Sequence, residues 1–154
     1  MDETKQPGIE FVKVVLLELN YKWNEKFRLG KPPLSYEIQG NYSPRLSEDG
    51  KSLNARLMVR IISKPLTVSL TIAGLFKEGT SPNLTLREFA QLQAPAHLIP
   101  FAREVIFNVT ARSPIPPLIL NPINVKALTN NWSNKPGTAK RNLKNSVPCN
   151  ARQK

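Results

Sequence analysis

APAHLIPFAREVIFNVTARSPIPPLILNPINVKAL, Ala94 to Leu128, is where the hydrophobic period and the proline spacing of the chain change together. Pro95 falls near a helix start, where a missing N–H is tolerated. Between Phe101 and Ala111 the apolar residues recur at helical spacing: Phe101, Val105 and Val109 make one stripe, with Ala102 and Ile106 beside it. Pro100 stands before or at the start of this helix and would kink any helix already begun at Ala96. SPIPPLILNPIN cannot be helical and reads as extended or polyproline structure. Asn124 is placed to cap a last short helix, Val125 to Asn131.

Upstream of Ser81-Pro82 the period is two. Ile9, Phe11, Val15, Leu17, Leu19, Tyr21 and Trp23 share one phase, broken by Lys13, so residues 9–23 read as a long strand. Its middle, Val14 to Leu17, is apolar on both faces. Residues 24–35 hold Gly30, Pro32 and Pro33 and read as a loop. Phe27 and Leu29 are apolar in this polar connection, and either tuck beneath it or line a groove. A second strand covers Tyr36 to Tyr42, Asp49-Gly50 signals a hairpin turn, and a third strand runs from Leu53 to Ile62. Pro65 separates it from a fourth, Leu66 to Phe76, where Ala73-Gly74 suggests a bulge or a phase slip. Leu84 to Gln93 fits a short helix. Strands followed by helices give an α+β domain: a four-stranded antiparallel meander with a long first connection, packed against C-terminal helices.

The 154 residues suit one core, with apolar types at 40%, and the 14 prolines keep its elements short. No apolar run approaches the length of a membrane span, and no leader is visible, so a soluble chain is expected. Cys149 is the only cysteine; no internal disulfide can form, and a reducing, cytoplasmic compartment follows. The net charge of +11 is uneven. Residues 133–154 hold six basic side chains and no acid; the other 16 basic groups and all 11 acids precede them. The expected organisation is a domain over 1–132 and a basic, disordered tail over 133–154. Such a tail has weak affinity for polyanions, and its basic residues lack the aromatic interleaving of stacking surfaces.

Residue types that do chemistry are sparse. His97 is the only histidine and has no metal-ligand spacing with Cys149. Cys149 lacks an oriented base, and no phosphate loop or nucleophile elbow is present. Neither an enzyme nor a cofactor is expected.

Within Ala94–Leu128, Ile99-Pro100-Phe101-Ala102-Arg103, Pro116-Pro117-Leu118-Ile119-Leu120, and Pro122-Ile123-Asn124-Val125 with Leu128 resemble the signature region of the SecB export chaperones. Ala73-Gly74-Leu75-Phe76 resembles the end of that family's fourth strand, and Phe11 with Leu19-Asn20-Tyr21 its first. The resemblance covers roughly residues 9–130 and is specific in the 94–128 block. It implies a homotetramer, a dimer of dimers, with Phe101, Val105 and Val109 at the oligomer interface. It also implies ATP-independent binding of non-native polypeptides in apolar grooves. Here Phe27, Leu29, Leu34, Tyr36, Ile38, Tyr42, Val125 and Leu128 would line them; the alternative is that they complete the core.

The departures concern partners. Export members dock the basic tail of the translocation motor on an acidic face. On the matching face, Glu18 has a counterpart, whereas Lys22 and Ser69 stand where acids are expected, and like charge opposes docking. The resemblance extends to SecB-like chaperones that protect one antitoxin in a toxin–antitoxin module. The expectation is a holdase for unfolded or export-competent chains. The alternatives are a dedicated antitoxin chaperone and a nucleic-acid-associated basic protein.

Overall fold

The computed structural model describes residues 8–28, 35–79, 83–120 and 143–145. Four strands come first: β1 (Ile9–Trp23), β2 (Tyr36–Leu46), β3 (Ser52–Ser63) and β4 (Leu66–Glu78). Helices α1 (Leu86–Leu92) and α2 (Ala94–Thr110) follow, then a short β5 (Leu143–Asn145). The sheet is antiparallel, in the order β1-β4-β3-β2-β5. Only β2-β3-β4 is a meander. The chain leaves β1 at one side and re-enters at β2, two strands beyond β4, so the expected long first connection joins strands that are not neighbours.

Alternation on the central strands is strict. Leu53, Ala55, Leu57, Val59 and Ile61 of β3, with Leu66, Val68, Leu70, Ile72 and Phe76 of β4, are buried on one face. At the β2–β3 turn Gly50 takes φ 71°, a left-handed conformation that suits glycine, as Asp49-Gly50 signalled.

Strand β1 does not keep one phase. Its register against β4 slips between Phe11 and Lys13 and again between Leu16 and Glu18. Each slip is a bulge that inserts one residue and inverts the facing of all that follow. Phe11, then Val14 and Leu16, then Leu19, Tyr21 and Trp23 therefore oppose the inward residues Phe76, Gly74, Ile72, Leu70, Val68 and Leu66. Lys13 opposes outward Leu75 and Val15 opposes outward Ala73. Lys13 is thus no defect in the pattern. The bulge expected at Ala73-Gly74 lies on the partner strand instead.

Gly74 has another role. A Cβ there would meet Leu98 Cδ2 at 2.6 Å and Phe76 Cε2 at 3.0 Å, so its hydrogen lets α2 approach β4 closely.

Both helices lie on the inner face. Thr85 caps α1 through a reciprocal box: its hydroxyl oxygen accepts from Glu88 N at 3.2 Å, and its own N–H donates to Glu88 Oε2 at 3.1 Å. The Glu88 carboxyl is held below its ordinary value by the Thr85 hydroxyl, which donates to Oε2 at 2.7 Å, and by the Thr85 N–H. Helix α2 is continuous through Pro100, with Pro95 at its first turn. Leu98, Ala102, Ile106 and Thr110 make its buried stripe. Buried Thr110 donates to Ile106 O at 2.7 Å and accepts from Leu118 N at 2.9 Å, tying the non-helical run 116–120 back onto α2. Among the described residues, no helix is long and apolar enough to cross a membrane.

Candidate functional site

The register collects one set of apolar groups at one end of the sheet. Trp23 opposes Leu66 on β4, and Tyr36 opposes Ser63 on β3, across the turn joining those strands. Asn24 fastens the end of β1 to that turn: its N–H donates to Pro65 O at 2.8 Å and its Nδ2 to Lys64 O at 3.2 Å. The Asn24 carbonyl and side-chain oxygens accept from Phe27 N at 2.9 Å and Lys26 N at 3.2 Å, which sets the path of the loop. Phe27 is thereby placed edge-on to Trp23, ring centres 6.5 Å apart. Tyr21 reaches across the same end, its hydroxyl 2.7 Å from Ser113 Oγ, just beyond α2. The chain past α2 therefore starts beside β1 at this end of the sheet.

Three expected groove residues share this end. Phe27, Tyr36 and Ile38 are half-buried, and Tyr36 and Ile38 pack against the core with part of each side chain accessible. Tyr42 is different: it is 4% exposed, and its hydroxyl donates to Ala90 O at 2.7 Å. Burial pushes its phenol far above the usual range. Its side chain belongs to the core beneath β2 and offers a groove no surface. Leu29, Leu34, Val125 and Leu128 lie outside the described residues, as do the helix expected over Val125 to Asn131 and Cys149.

Glu18, Lys22 and Ser69 come together on the outer sheet face. Glu18 opposes Thr71, Asn20 opposes Ser69, and Lys22 opposes Thr67. Arg56 and Arg60 of β3 are exposed on the same face, Arg60 opposite Ser69. Between the β1 end and the β3–β4 turn, an open cleft of about 610 Å³ is rimmed by Lys22, Lys26 and Lys64, with Glu25 as its one acid. Phe27, Tyr36 and Ile38 do not line it.

On α2, Phe101, Val105 and Val109 are half-buried beside the core stripe, and Phe107 stands exposed nearby. Edge strand β1 leaves Leu16 46%, Leu17 49% and Leu19 40% exposed. Leu16 and Leu19 both oppose inward residues of β4, and Leu17 is the residue inserted at the second bulge, an arrangement that a one-phase reading conceals. His97 lies against Phe89, ring centres 5.6 Å apart and nearly parallel, with Phe11 and Phe76 close by. It is part of an aromatic cluster. No group of three or more potential metal-ligating side chains occurs among the described residues.

The family model for the preprotein translocase subunit SecB matches residues 45–135. Curated relatives include a protein-export protein SecB of Methylobacillus flagellatus, 29% identical over 133 residues, covering 82% of this chain and 84% of the relative. A SecB of Afipia carboxidovorans is 34% identical over 61 residues, 40% of this chain and 38% of the relative. In some matches the chain thus spans only about two fifths of the curated relative. Among solved structures, a SecB-like chaperone of Mycobacterium tuberculosis in complex with an antitoxin peptide superposes with a TM-score of 0.63. Sequence identity to it is 18%, and the match covers 75% of this chain and 90% of that one.

Proposed function

This chain belongs to the SecB family, and we propose that it is an ATP-independent chaperone holding unfolded or export-competent polypeptides in an apolar groove. The observation that carries the reading is the half-buried apolar pair Tyr36 and Ile38 at the start of β2, with half-buried Phe27 beside β1 at the same end of the sheet. An accessible apolar surface beside a strand edge binds extended segments through side-chain burial and backbone pairing, with little sequence preference. Leu29, Leu34, Val125 and Leu128 belong to the same groove on this reading, and Tyr42 supports it from within the core. The family consists of chaperones rather than enzymes. A cytoplasmic setting is part of the proposal.

The working unit is a homotetramer. Exposed Leu16, Leu17 and Leu19 on an edge strand, and the stripe of Phe101, Val105 and Val109 with exposed Phe107, are two apolar surfaces suited to self-association. Glu18, Lys22 and Ser69 form a partner-docking face. Lys22, Arg56 and Arg60 make it ill-matched to a basic partner such as the tail of a translocation motor. That charge favours a second reading, a chaperone devoted to one client such as an antitoxin, for which the gene neighbourhood is the discriminating observation.

The test is suppression of aggregation of a refolding client without ATP. We expect substoichiometric tetramer to suppress it; no suppression at several-fold excess overturns the reading. Tyr36→Asp combined with Ile38→Asp should abolish suppression while the tetramer persists in sedimentation. Loss of folding would instead assign both side chains to the core.

A further inference from the structure

Strand β2 has two edges. One pairs with β3 along its whole length, from Tyr36 opposite Ser63 to Leu46 opposite Leu53. The other meets β5, and only at three positions: Asn145 opposite Tyr36, Lys144 opposite Glu37, and Leu143 opposite Ile38. Beyond Ile38 this edge has no partner among the described residues. It is limited at its far end by Pro44, which has no N–H to donate and interrupts any added ladder. Among the described residues the edge from Gln39 to Ser43 is thus unpaired, and it continues the stretch Tyr36–Ile38, the apolar pair of the groove, that β5 covers.

We propose that β5 is a built-in competitor: Leu143–Asn145 of the chain's own tail occupies the start of the β2 edge, and an extended client polypeptide displaces it by pairing antiparallel along Tyr36–Ser43. The inference rests on the chaperone reading, because it takes the β2 edge as the client's backbone partner. The seat is built to be lost. Three residues make a short ladder, and the edge offers a client a longer one. The one charged pair of that ladder is Lys144 with Glu37, a single cross-strand contact. An incoming client that runs on toward Ser43 gains a longer ladder. The tail thus lowers affinity for every client by the fraction of time the edge is covered, and weighs most against clients offering only a short extended run.

The experiment uses the full chain and a full-length variant carrying Leu143→Pro with Lys144→Pro. Successive N–H groups of a strand point to opposite sides, so two adjacent prolines remove a donor facing β2 whichever phase is used. Two readouts are taken. Hydrogen exchange at the Glu37, Ile38 and Gln39 amides, without any client, reports the seated tail. Affinity for reduced, carboxymethylated lactalbumin, a permanently unfolded probe, reports the client edge. We expect protection at those amides to fall in the variant and the probe to bind roughly two- to tenfold tighter, the upper value corresponding to an edge covered about nine-tenths of the time. Equal exchange in the two forms overturns the seating of β5. Faster exchange with unchanged or weaker probe binding overturns the competition. If neither form binds the probe at all, the chaperone reading fails with it, and the exchange comparison still reports on the strand separately.

Discussion

Gly74 sits under the one place where α2 comes closest to the sheet. A methyl group there would press on Leu98, which is fully buried, and on Phe76, also fully buried. Neither can swing aside into solvent, so Gly74→Ala should cost about 1–3 kcal/mol of stability, the usual range for overpacking. Shortening the neighbour opens room: in Leu98→Ala, which carries a cavity penalty of its own, the added cost of Gly74→Ala should nearly vanish. Urea denaturation of the two single variants and the double measures that coupling; simple additivity would contradict the packing account. The glycine was visible in the sequence, but its reason was not. Spacing along one strand cannot report the approach of a helix from 24 residues further on, and the same residue read alone suggests a bulge.

At the scale of the element, the capping box of α1 makes stability depend on acid. The Thr85 bonds stabilise the charged form of Glu88. Its folded-state pKa is therefore depressed, and its contribution is present above the unfolded carboxyl value of about 4.3. That contribution is lost as pH falls through the lower folded value. Asp49 behaves in the same sense, its carboxyl held down by the Ser47 hydroxyl and the Lys51 amide. Glu88→Gln has no charge to lose, so the difference in Tm between the parent chain and this variant should shrink as pH is lowered from neutral to about 3. Thermal melts at a series of pH values follow it; a constant difference would remove the carboxylate from the cap. The strands show how much of an element can be read from its sequence. β3 and β4 alternate without a break, and their facing was fully legible. β1 was legible as a strand, but not in its facing, because two inserted residues leave a pattern that looks like one phase with a stray lysine. Tyr36, Ile38 and Tyr42 share a phase on β2, yet only Tyr42 runs beneath α1. Period two cannot distinguish a residue under a helix from one at the sheet end.

At the scale of the whole molecule, charge is the property most open to test. If the tail binds polyanions only through phosphates, log affinity for a single-stranded oligonucleotide should fall with log salt at a slope of roughly −4, set by six basic groups at about −0.7 each. Ending the chain at Trp132 should abolish most of that dependence. Affinity that resists salt would instead favour specific nucleic-acid recognition. Fold class was legible here, since strands preceding helices imply two layers. Strand order was not: periodicity places residues on faces and says nothing of which edge a strand joins.

That strand order gives the chain a problem in time. β2, β3 and β4 pair with near neighbours through short turns, whereas β1 is made first and, among the described residues, pairs only with β4, made last among the four. Closing so long a loop is slow compared with forming a hairpin. During synthesis at about 5–20 residues per second, β1 therefore waits several seconds as an extended apolar segment without a partner. It carries Val12, Val14, Val15, Leu16, Leu17 and Leu19 in nearly unbroken succession. That is the sort of nascent segment the proposed holdase would shelter, the next copy of this chain included.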